Sequence, residues 1–149
     1  MENTYTYKLK ARSAAFRGGV IEGVPDALDF SSPPEFGGEP GFWTPEDFFL
    51  AALAGCFVST FQSVAAHSKF EFLALEVCAK GTLSKEEGGF RFTEVILTPR
   101  LTLHDEASRE RALRLLEKSE RACLVARSLN TKITLVPELL MVAEVAAGD

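Results

Sequence analysis

From Phe48 to Ala66 the chain carries only four polar side chains, Ser59, Thr60, Gln62 and Ser63. A helix apolar nearly all round is buried on most of its sides, so any fold has to be assembled around this segment. Its start is well marked. Thr44 suits the N-cap, Pro45 the first helical position, and Glu46 and Asp47 complement the positive end of the helix dipole. Thr44 and Asp47 also stand at capping-box spacing, with Asp in place of the usual Glu. In the middle of the run sits Cys56. It is either a small packing residue or a working thiol, and the rest of the chain has to decide between the two.

The 149 residues are expected to form a single domain (1–149), long enough for a substantial core. Lys plus Arg is 16 and Asp plus Glu is 21, so the formal charge is 16 − 21 = −5. That balance speaks against nucleic-acid binding, which needs a basic surface. No uninterrupted apolar run reaches the roughly 18 residues of a membrane span, and the opening MENTYTYKLKARS lacks the pattern of a secretory signal. No membrane association and a cytoplasmic location are therefore expected. Cys56, Cys78 and Cys123 are too few and too widely spaced for a disulfide framework. His67 and His104 lie far from all three, so neither a metal nor a cofactor is expected.

Residues 4–11 alternate as a strand, Arg17-Gly18-Gly19 reads as a turn, and Val20 to Val24 as a short second strand. The stretch SSPPEFGGEPGFW (31–43) is too rich in Pro and Gly to be regular, and a loop of this length in a compact domain is more often functional than idle. Phe72 to Leu83 and Phe90 to Leu103 read as two strands of an antiparallel hairpin turning at 85–89. Asp105 caps a helix over 107–122, on which Ala112, Leu116, Ser119 and Cys123 form one stripe facing inward. A last strand is expected over 130–140. The order β-β-α-β-β-α-β indicates an α+β fold, with an antiparallel sheet covered on one face.

The combination of PPEFGGEPGFWTPEDFFLAALAGC and LLEKSERACLVARSLN resembles the OsmC/Ohr family of thiol peroxidases. The family pattern has a Gly-rich loop, Asn/Thr-Pro-Glu, and an apolar helix with a cysteine ten residues after the Glu; Glu46 and Cys56 match it. A second family cysteine follows an amphipathic helix, where Cys123 stands. The resemblance implies an antiparallel sheet wrapped on two central helices, in an intertwined homodimer with its sites at the subunit interface. It implies reduction of hydroperoxides, organic ones especially, with Cys56 reactive, Cys123 resolving through an intramolecular disulfide, and a lipoyl-type dithiol or small thiol as reductant. Two positions depart from the pattern. Many members have Cys-Pro-Val-Ser where this chain has Cys123-Leu124-Val125-Ala126. The family arginine has its nearest match in Arg17, with Arg12, Arg100 and Arg127 as competitors.

The chemistry needs a thiolate, because the thiol is a poor nucleophile. Burial in an apolar helix raises a thiol pKa, and Cys56 lies far beyond the first turn, where the dipole acts. The sequence therefore points to a cation brought from another segment. Glu46 cannot reach Cys56 directly, since ten helical residues span about 15 Å. It has to act through a bridging arginine or on a partner subunit, unless it is simply a helix-start acid. Phe42, Trp43 and Phe57 are candidates for an apolar substrate pocket, whereas Phe48 and Phe49 suit a dimer core at least as well. Cys78 reads as a neutral bystander. Two other readings stay open: a module binding acyl groups or other small ligands, and a non-catalytic dimer of the same fold.

Overall fold

A computed structural model describes residues 4–14 and 30–143, and for residues 5–14 the backbone alone. The turn at Arg17 to Gly19 and the strand expected over Val20–Val24 lie outside the described residues. Strand β1 (Thr4–Ala14) pairs antiparallel with β2 (Ala74–Glu86), from Thr4 opposite Ser84 to Ala14 opposite Ala74. β2 pairs antiparallel with β3 (Gly89–Leu103) through a tight turn at Glu87-Gly88. Gly88 has φ +98° there, a conformation that side chains with a Cβ avoid. The pairing register shifts between Thr82 and Leu83, where the Thr93 hydroxyl donates to the Thr82 carbonyl at 3.3 Å.

Alternation decides which face of the sheet is core. Leu75, Val77, Ala79 and Leu83 of β2 and Val95, Leu97, Leu101 and Leu103 of β3 point to one side and are buried. Glu76, Cys78, Glu94, Thr98 and Arg100 alternate to the other, half-buried face.

The core face is covered by α1 (Pro45–His67). Its capping box is complete: the Thr44 N–H donates to Asp47 Oδ2 at 2.9 Å, and the Asp47 N–H donates to Thr44 Oγ1 at 3.1 Å. Leu50, Leu53, Ala54, Phe57, Val58, Phe61 and Ala65 are its buried residues. The expectation of burial on most sides is not met within one chain. A single sheet covers only one side of a helix, and Ala52, Ser59, Ser63 and Ala66 remain exposed along the other. By length and composition alone (23 residues, mean hydropathy 1.7) α1 could cross a membrane, although no uninterrupted apolar run suggested it. Here it is the core helix of the domain.

A 3₁₀ turn at Glu106–Ser108, capped by the Asp105 carboxylate accepting from the Ser108 N–H at 2.9 Å, leads into α2 (Arg109–Ala122). α2 buries the expected stripe of Ala112, Leu116 and Ser119, with Leu115 beside it. One further turn, α3 (Leu124–Arg127), follows. The chain then returns beside β3. Because it has crossed over through two helices it runs parallel to β3, which makes the sheet mixed rather than wholly antiparallel. The strand expected over 130–140 divides into β4 (Lys132–Leu135) and β5 (Glu138–Met141). Continuing the register places Pro137 opposite Pro99, and neither has an N–H for the ladder. The α+β architecture expected from the sequence is the one observed.

Candidate active site

Cys56 lies in mid-α1, half-buried, on the flank of the helix that meets α3. Cys123 ends α2 and begins α3, with an extended backbone (φ −62°, ψ 112°) that breaks the helix at that residue. The stripe that buries Ala112, Leu116 and Ser119 carries Cys123 into the core, where it is 0% exposed. The two thiols, 67 positions apart in sequence, are brought near enough that each acts on the other's ionisation.

The break at Cys123 has a second consequence. The first amides of a helical turn have no partner within the turn. The Val125 and Leu124 amides lie on the Cys56 side and act to lower its pKa, as those of Ala126 and Val125 do for Cys123. Thr60, one turn beyond Cys56 on the same face of α1, places its Oγ1 3.9 Å from the Cys56 Sγ.

These neighbours push the two thiols in opposite directions. Burial acts most strongly on Cys56 and raises its pKa. The Val125 N–H, the Cys123 thiol, the Thr60 hydroxyl and the Leu124 N–H together outweigh it, and Cys56 ends below the ordinary thiol value. For Cys123 burial again dominates and raises the pKa. The Ala126 and Val125 amides oppose it, but the hydrogen bond with Cys56 and the charge there add to it, and Cys123 is pushed up to about 11. The arrangement favours ionisation at Cys56 over ionisation at Cys123.

The expected cation is thus not what lowers Cys56 among the described residues; neutral donors do it. Arg17 lies outside the described residues, and of Arg12 only the backbone is described, opposite Glu76 on β2. Arg100 is on the outer sheet face, paired with Glu138 at 2.9 Å and Glu76 at 3.8 Å. Arg127 is exposed at the end of α3. Glu46 occupies the first turn of α1, half-buried, with its Oε2 fully covered and no hydrogen-bond partner among the described residues. It is not brought to Cys56 within one chain.

Phe42 and Trp43 line an open groove of about 300 Å³ with Gly41 and Asp47, and Trp43 stacks on Phe48 at 5.8 Å. Phe57 points into the core at 0% exposure, because one residue along a helix turns the side chain about 100° away from Cys56. Phe49 stacks on Phe92 at 4.5 Å. Cys78 faces the outer side of the sheet, away from both other cysteines. Among the described residues no group of three His, Cys, Asp or Glu could hold a metal ion. Sequence reasoning missed Thr60 and the amides after Cys123. The signals available were the one-turn spacing of Thr60 from Cys56 and the absence of proline at position 124.

Residues 37–138 match the family model described as OsmC-like protein. The chain belongs to the OsmC family. The uncharacterized protein YmaD of Bacillus subtilis (strain 168) is 26% identical over 133 residues, covering 87% of this chain and 86% of YmaD. Two solved structures show the same fold. The organic hydroperoxide resistance protein OhrB of Bacillus subtilis superposes with a TM-score of 0.59 at 26% identity, covering 88% of this chain and 97% of OhrB. An organic hydroperoxide resistance protein from Elizabethkingia anophelis, with thiocyanate bound, superposes at 0.64 and 25% identity, covering 76% of this chain and 80% of its own. The structural neighbours of this OsmC-family chain thus include proteins named for hydroperoxide resistance.

Proposed function

We propose that this OsmC-family protein reduces hydroperoxides, organic ones in preference, with Cys56 as the attacking thiolate and Cys123 as the resolving thiol. The observation that carries the reading is that α1 and the α2–α3 junction bring Cys56 and Cys123 together, with their pKa values displaced in opposite senses. A nucleophile has to be ionised, and a resolving thiol has to wait beside it without competing for the peroxide.

The Cys56 thiolate attacks the distal oxygen of the hydroperoxide. An S–O bond forms, the O–O bond breaks, and the alkoxide leaves as the alcohol after taking a proton. Cys56 is oxidised to the sulfenic acid and the peroxide is reduced. The Cys123 sulfur then displaces hydroxide from Cys56, releasing water and forming the disulfide. An external dithiol, lipoyl-type or a small thiol in a reducing cytoplasm, reopens it by exchange and is itself oxidised to a disulfide.

The protein acts as a homodimer in this reading. The exposed line of Ala52, Ser59, Ser63 and Ala66 along an otherwise apolar helix lets a second helix approach closely. The covered, unpartnered Glu46 oxygen suits a cation, such as Arg17, or a site completed across subunits. The Phe42–Trp43 groove supplies apolar surface for the organic part of a substrate.

The test is hydroperoxide consumption with cumene hydroperoxide and dihydrolipoamide. Wild type consumes peroxide, Cys56→Ser does not, and Cys123→Ser turns over only as fast as an external thiol can replace the internal one. Consumption indifferent to Cys56→Ser would overturn the proposal.

A further inference from the structure

Among the described residues Thr60 is the one side-chain hydroxyl at the Cys56 sulfur, at 3.9 Å, and the fold gives it little freedom. It lies four residues after Cys56 on an unbroken helix, so the two side chains share a face one turn apart. A threonine in a helix is confined to two χ1 rotamers, and the one adopted here turns its oxygen to the sulfur. A helical threonine usually spends its hydroxyl on the carbonyl one turn earlier. Here, among the described residues, that oxygen faces the sulfur instead. A hydroxyl both donates and accepts. While Cys56 is a thiol the contact works in either sense; once Cys56 is a thiolate, only donation from Thr60 is favourable.

We propose that Thr60 is a catalytic residue of this chain, a hydroxyl donor to the Cys56 thiolate that sets both how much thiolate exists and how strongly it attacks. The inference rests on Cys56 being the attacking sulfur. Those two effects oppose each other. A donor increases the ionised fraction at neutral pH, and it also withdraws electron density from the sulfur. Thiolate nucleophilicity falls as pKa falls, with a Brønsted slope of about 0.4–0.5. Thr60 therefore helps at pH values below the titration of Cys56 and hinders above it. A residue with a packing role alone would depress activity at every pH.

Two measurements on the reduced full-length protein test this. The first is thiolate absorbance near 240 nm against pH, with Cys56→Ser as the blank. For Thr60→Val, nearly the same volume without the hydroxyl, the thiolate fraction at neutral pH is expected to fall about threefold to tenfold. Thr60→Ser is expected to restore it to within about twofold. Thr60→Ala serves as a second hydroxyl-free variant should the valine disturb packing, with near-ultraviolet circular dichroism reporting on the fold. Hydroxyl-free variants that titrate like wild type overturn the proposal. The second is the pH profile of hydroperoxide consumption. Thr60→Val is expected to be slower than wild type near pH 6–7, with the two curves meeting or crossing above the titration of Cys56; a uniform loss at all pH values overturns it. The outcomes separate this inference from the peroxidase reading. Should wild type consume no hydroperoxide, the function fails, and the titration still decides whether Thr60 holds the thiolate.

Discussion

One backbone N–H beside Cys56 belongs to Leu124, the residue that follows Cys123. It is among the groups that lower the Cys56 pKa. Leu124→Pro tests that donor cleanly. Position 124 opens a helical turn, where proline is favoured, and Cys123 already has the extended backbone that a following proline demands. The leucine side chain is 70% exposed, so little burial is lost. We expect nearly unchanged stability and a Cys56 pKa higher than in the wild type, since one of the groups that lowers it is gone. Thiolate absorbance reads the shift, and an unmoved titration would remove Leu124 from the account. This residue scale is also where the sequence was least informative. Cys56, Cys123 and Glu46 stood out because their chemistry belongs to their side chains and their spacing matches a family. Amide donors carry no such signature, since every residue except proline has one. Thr60 was passed over because a threonine inside a helix has an ordinary structural explanation.

Elements were legible wherever a local rule dictates them. The capping box at Thr44 and Asp47, the β2–β3 hairpin and the inward stripe of α2 all follow from spacing and side-chain type. Asp47→Ala removes the acceptor for both the N–H and the hydroxyl of Thr44. It should cost about 1 kcal/mol, read as a lower urea midpoint at unchanged m. What local rules could not supply was strand direction and strand continuity. The parallel return of β4 and β5 is set by the crossover through α2 and α3, and the break between them depends on Pro137 falling opposite Pro99 across 38 residues. Gly81 belongs to the same class. In sequence it is one weak position in a strand, but in the fold a Cβ there would lie 2.7 Å from the Phe92 ring and 3.0 Å from a Leu50 methyl. Gly81→Ala should therefore destabilise by about 1–3 kcal/mol, despite the better strand propensity of alanine. A midpoint equal to wild type would show that Phe92 moves aside freely.

For the molecule as a whole, the two thiols tie stability to pH with opposite signs. Cys56 has a lowered folded-state pKa, so its contribution is full above the ordinary thiol value and is lost as pH falls through the folded value. Cys123 is raised to about 11, so its contribution is full below the ordinary value and is lost as pH rises toward 11. Together they place a stability maximum near pH 8.5, about where a free thiol titrates. Urea midpoints against pH should show Cys56→Ser flattening the acid arm and Cys123→Ala the alkaline arm. The remaining whole-molecule question is whether one chain makes a complete site. Glu46 and Cys56 stand about 15 Å apart along α1, and the Glu46 carboxylate has a covered oxygen without a partner among the described residues. If Glu46 serves the sulfur of the other subunit, Glu46→Gln and Cys56→Ser proteins complement each other. A heterodimer of the two then holds one site with both native residues, contributed by different chains. After subunit exchange the mixture should recover about a quarter of wild-type activity, because half the dimers are mixed and each carries one intact site of two. A mixture no more active than its components would place Glu46 with the sulfur of its own chain, through a bridging arginine.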